Sequence, residues 1–127
     1  MKLNWLLLPL GALLLTALIV PRSVPAQDND LVARGRYLVM MAGKCSDCHG
    51  ARLQGTKLDF LNPNLPPIVQ RRAPRIAGLP QLSRRAAIRF LHTGLLPNGH
   101  PARPPMPEYR FNVADATAIV AYLKSLP

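Results

Sequence analysis

The chain has 127 residues, of which 14 are proline and 3 phenylalanine, and it carries 16 Lys and Arg against 6 Asp and Glu. That length leaves room for one domain, and a domain so short of aromatic side chains calls for a buried prosthetic group to supply part of its apolar interior. The net charge of +10 raises nucleic acid as a partner, but no stretch interleaves the basic residues with aromatics that could stack on bases, which argues against it.

Residues 1–26 are a compositional zone of their own, with Lys2 near the start and then Trp5 to Val20 free of charge and rich in leucine. They read as a signal peptide or an N-terminal membrane anchor. Val24-Pro25-Ala26 ahead of Gln27 is a pattern signal peptidase accepts, which places cleavage after Ala26. Pro9 and Gly11 interrupt the run, which falls short of the roughly 20 apolar residues of a full span; retention through residues 3–20 is the alternative. Both readings put the domain, residues 27–127, outside the cytoplasm, periplasmic or exported. Without Lys2 and Arg22 it keeps 14 basic residues against 6 acidic ones, a net +8. Such a surface is either simply solvated or steers the protein toward an acidic partner or anionic lipid.

Asn29 or Asp30 is expected to cap a first helix running through Leu31, Val32, Arg34, Tyr37, Leu38 and Met41, with apolar residues three and four apart. Gly35 in its middle costs about 1 kcal/mol relative to alanine, which points to close approach of another helix. Ala51 to Pro80 contains Gly55, Gly78 and several prolines without a sustained period, and reads as an extended loop long enough to wrap a ligand. Ser83 caps a short helix over Arg84 to Thr93, closed by Gly94. Leu95 to Arg110 is a second irregular loop. The last helix is the clearest, with Asn112 as cap, Asp115 three residues on, Ala116, Ile119, Val120 and Leu123 along one face, and Lys124 in the final turn. Strand patterns of useful length are missing, so the fold class is mainly α.

Cys45-Ser46-Asp47-Cys48-His49 carries the chemistry. A Cys-x-x-Cys pair by itself is compatible with a redox disulfide, a structural disulfide, zinc or haem. The adjacent histidine favours haem, because two thiols three positions apart can each add across a vinyl group while the imidazole reaches the iron. Thioredoxin-like chemistry lacks its βαβ framework here. Zinc would need a fourth ligand, for which His92 or His100 is available. A haem that only moves electrons needs a second axial ligand, and Met106 in Pro104-Pro105-Met106-Pro107 is the candidate, since the flanking prolines restrict the loop that holds it. His100 is the runner-up. Met40 and Met41 read as core filling. Tyr109 and Arg110 stand where they could reach the edge of the cofactor.

The chain resembles class I cytochrome c domains from Asp30 to Leu126, on Gly35-Arg36-Tyr37-Leu38, the Cys45 to His49 motif, Arg103-Pro104-Pro105-Met106-Pro107, and Ile119 to Leu126. The resemblance implies a cytochrome c-like domain of three to four helices whose long loops wrap one covalent haem c, with its iron between His49 and Met106. It implies that the first and last helices cross at Gly35 against Tyr122. It also implies an electron-transfer protein and not an enzyme, either meeting redox partner proteins through an acidic docking surface or docked as a subunit on a membrane dehydrogenase or oxidase. A haem enzyme or gas sensor with an open sixth position is the reading from a different class. The basic, proline-rich stretch Gln70 to Arg75 departs from the family pattern and leaves the partner undefined.

Overall fold

The computed structural model describes residues 24–127; all but the last three residues of the expected leader lie outside them. The elements in chain order are α1 (Val24–Tyr37), a π-helical turn (Leu38–Ala42), α2 (Cys45–His49), β1 (Thr56–Lys57), β2 (Arg72–Ala73), α3 (Arg84–Thr93) and α4 (Val113–Ser125). Among the described residues no helix is long and apolar enough to cross a membrane.

The expected caps Asn29 and Asp30 both lie inside α1. The buried line of α1 also departs from expectation. Gly35, Leu38 and Val39 are buried, whereas Tyr37 and Met41 are 55% and 66% exposed, so Met41 is not core filling. Met40 does pack against the core. The chain leaves α1 through the π-helical turn, whose closing bond from Gly43 N–H to the Leu38 carbonyl (2.7 Å) accommodates one residue more than an α-helical turn.

α1 and α4 cross with almost no gap. A Cβ built on Gly35 would fall onto the Ala118 carbonyl, with the carbonyl carbon at 2.6 Å and Tyr122 Cβ at 2.8 Å. This is the contact the resemblance implied. An exposed ion pair between Arg34 and Asp115 (3.0 Å) spans the same two helices. α3 packs on the other flank of α4, and Leu38, Val39, Ala87, Leu91, Ala116, Ile119, Val120 and Leu123 join in one core.

The caps of the last two helices are as expected. Ser83 accepts from Ala86 N–H (3.2 Å), Gly94 closes α3 with φ of 75°, and Asn112 accepts from Asp115 N–H (2.8 Å). Lys124 does more than face the helix terminus, since its Nζ donates to the Gly78 carbonyl at 3.0 Å.

The expected loop from 51 to 80 is better ordered than its composition suggests. β1 and β2 pair antiparallel, Thr56 opposite Ala73 and Lys57 opposite Arg72. Arg71 gathers the chain between them: its guanidinium donates to the carbonyls of Asn62 (3.4 Å), Pro63 (2.6 Å) and Leu65 (2.9 Å). Arg103 does the same from the next loop, donating to the carbonyls of Ile68 (3.0 Å) and Pro67. Gln70 N–H donates to the Pro104 carbonyl (2.6 Å). Part of the basic stretch therefore holds loop backbone in place.

Candidate functional site

Gly43 closes the π-helical turn, and Lys44, in the left-handed region with φ of 47°, leads into α2. One turn of helix then brings Cys45, Cys48 and His49 to the wall of a single cavity of about 380 Å³. That volume lies within the range of roughly 300–1,000 Å³ for pockets that enclose a small ligand or cofactor. Leu79, Leu82, Phe90, Leu91, Phe111 and Ile119 make most of the remaining wall apolar. α3 and α4 thus contribute their inner faces, and the long loop contributes Leu58, Ala73 and Pro74. The polar lining is limited to a few side chains, among them Lys44, Gln70, Gln81 and Arg103.

His49 is 6% exposed, and its Nδ1 lies 2.7 Å from the Pro74 carbonyl oxygen. A carbonyl only accepts, so Nδ1 carries the hydrogen and donates. The other ring nitrogen, Nε2, is left with a lone pair for a metal ion, with the ring orientation fixed from behind. Met106 lines the same cavity. His100 does not; it sits exposed on the turn after Asn98, whose side chain accepts its N–H (3.1 Å). His92 also lies apart, with Nδ1 2.7 Å from the Phe111 carbonyl.

Cys45 and Cys48 are free thiols. Burial pushes the Cys45 thiol up to about 11, partly offset by a backbone hydrogen bond and reinforced by Cys48 and Asp47. A thiol so protonated is unlike the thiolates of redox Cys-x-x-Cys pairs, whose values are lowered. Among the described residues no three His, Cys, Asp or Glu are grouped to hold a metal ion by themselves, so neither His92 nor His100 completes a zinc site. What the cavity does fit is a flat apolar macrocycle that brings its own metal: two thiols for covalent attachment, an oriented imidazole, a thioether, and a wall with few competing polar groups.

Tyr109 lines the cavity and ties two parts of it together. Its hydroxyl donates to the Gly43 carbonyl (2.7 Å), just before the cysteine motif, and its ring stacks on Phe111 with centroids 5.0 Å apart. Arg110 turns away, to Glu108 (2.9 Å) and the Thr93 carbonyl. Sequence reasoning placed Tyr109 near the cofactor but not its bond to Gly43, and it missed Pro74 altogether, because a backbone acceptor leaves no signature in residue type.

A family model described as Cytochrome c matches residues 32–127. Comparison with curated proteins and with solved structures gave no match. The matched span takes in the cysteine motif, Met106, all of α4 and the part of α1 that crosses it at Gly35. It brings with it covalent haem c with its iron as the cofactor, and haem-based electron transfer as the general function. By this match and by a mainly helical fold around one apolar cavity, the chain belongs to the cytochrome c family.

Proposed function

We propose that this protein is a periplasmic or otherwise exported electron carrier, in which Cys45 and Cys48 form the two thioethers, His49 is the proximal ligand and Met106 the distal one. The observation that carries this reading is the buried His49 ring, held through Nδ1 by the Pro74 carbonyl, on the wall of the cavity that Met106 also lines. Haem iron supplies a one-electron couple when bound. The chain's residues do the rest. The apolar wall excludes water, Pro74 fixes the imidazole, and the Tyr109 bond to Gly43 keeps the loop that carries Met106 closed. A site closed on both axial sides transforms no substrate. Donor and acceptor are redox proteins with acidic docking surfaces, attracted by the net positive charge. The leader over residues 1–26 takes the chain across the membrane and is either cleaved or kept as an anchor.

Intact mass of the purified protein, combined with its optical spectrum, tests the assignment. Covalent attachment predicts one haem added to the polypeptide mass and colour retained after acid-acetone extraction. His/Met ligation predicts a methionine-to-iron charge-transfer band in the oxidised form and little response of the reduced form to carbon monoxide. A colourless protein after extraction, or avid carbon monoxide binding, would overturn the attachment or the closed site respectively.

A further inference from the structure

α3 has two faces with different work to do. Ala87, Phe90 and Leu91 turn inward and line the cavity. Arg84, Arg85, Ile88, Arg89 and His92 recur at helical spacing on the other side. With Val113 at the start of α4 they line an open groove of about 440 Å³.

Two features of this face are not explained by the fold. First, Arg84 and Arg85 occupy the first turn of α3, which holds no acidic residue. A cation there opposes the helix dipole and costs stability, so the arrangement is locally unfavourable. Second, nothing within the helix balances the charge. It contains no Asp or Glu, and the two ion pairs among the described residues, Arg34 with Asp115 and Arg110 with Glu108, lie elsewhere. The groove also keeps an apolar strip, for Val113 is 55% exposed beside Ile88.

We propose that the outer face of α3 is a docking surface for an acidic protein partner, whose carboxylates meet Arg84, Arg85 and Arg89 and which seats one apolar side chain between Ile88 and Val113. All three cations are arginines, whose forked donors match carboxylates two bonds at a time. The groove is shallow and holds no exposed Trp, Phe or Leu of the kind that seats a helix in a lipid interface, which favours a protein over a membrane. α3 itself, about 10 Å thick, stands between this groove and the cavity. A partner bound here therefore leaves the polar cavity lining around Lys44 and Arg103 free for a second encounter, as a docked subunit requires. The inference is independent of the axial ligand assignment.

The test uses the haem-loaded, reduced protein labelled with nitrogen-15. The probe is a synthetic peptide of alternating glutamate and serine with one central leucine. We expect amide shifts confined to α3 and Val113, a loss of affinity of at least about tenfold in the R84Q/R85Q/R89Q variant, and weaker binding of a peptide whose leucine is replaced by serine. The variant's optical spectrum and reduction potential should match the parent's. Shifts centred on Lys44 or Arg103, unchanged affinity in the variant, or indifference to the leucine would each overturn the proposal. So would binding of phosphatidylglycerol vesicles through α3 in the absence of peptide binding. The leucine-to-serine comparison needs no protein variant, so it remains decisive if the triple substitution disturbs folding.

Discussion

Tyr109→Phe isolates one bond that links the loop carrying Met106 to the turn before Cys45. The substitution removes the hydroxyl that donates to the Gly43 carbonyl at 2.7 Å and leaves the ring stacked on Phe111. A hydrogen bond of this kind is worth about 1 kcal/mol net, and Gly43 is accessible enough for water to replace the lost donor. The bond exists only when the loop is closed, so its loss should shift the closed-to-open ratio by about fivefold toward open. An added ligand such as imidazole reaches the oxidised iron only in the open state. Its apparent affinity, read from a Soret titration, should therefore rise about fivefold in the variant. Affinity equal to the parent's would show that Tyr109 does not hold the loop, and the reasoning would fail.

The same residue gives the effect a pH signature. Burial raises the Tyr109 phenol above its ordinary 10.0; Cys45 and Cys48 add to this as thiolates, but as thioethers in the haem-bearing protein they carry no charge. The closed state thus prefers the neutral phenol. Its stabilisation is complete below pH 10.0 and is lost as pH climbs through the raised value. Imidazole binding by the parent should strengthen in that alkaline window, and this component should be absent from Tyr109→Phe.

Met106→Ala should keep haem attached, lower the reduction potential and abolish the charge-transfer band, as seen by redox titration and absorption; an unchanged band would identify another ligand. Gly35→Ala gains about 1 kcal/mol of helix propensity but drives a methyl into the Ala118 carbonyl, an overpacking cost of about 1–3 kcal/mol at minimum. Because backbone and not a flexible side chain is in the way, the net effect should be destabilising, with a lower midpoint in thermal unfolding followed by circular dichroism. His49→Ala should give no stable haem incorporation and no compact domain, checked by mass and hydrodynamic radius, since the cofactor fills the cavity that the apolar side chains surround.

How far the fold could be read from residue order tracks the locality of the forces involved. α3 and α4 were readable because Ser83, Gly94 and Asn112 act on neighbours three or four residues away. The haem motif was readable because its geometry is complete within five consecutive residues. α1 was only half readable: Asn29 and Asp30 lie inside it instead of capping it, and Tyr37 and Met41 face solvent where the spacing had put them on the buried side. Gly35 announced a close contact, but its partner came from the family resemblance and not from periodicity. The ordering of the loop from 51 to 80 was illegible, because Arg71 and Arg103 act on carbonyls that any residue would present. Met106 was readable as the candidate ahead of His100 from its flanking prolines, and the structure carries it, and not His100, to the cavity wall.

The clasp formed by Arg103 has an electrostatic outcome. Two carbonyls hold its guanidinium at the cavity lining, so a positive charge is stationed on the wall of the cavity that haem would fill. Ferric haem bears one more positive charge than ferrous haem, and a fixed neighbour of the same sign disfavours it. Backbone carbonyls in a loop remote in sequence would thereby bias the couple toward the reduced form, a bias that added salt should weaken as it screens the exposed side of the guanidinium.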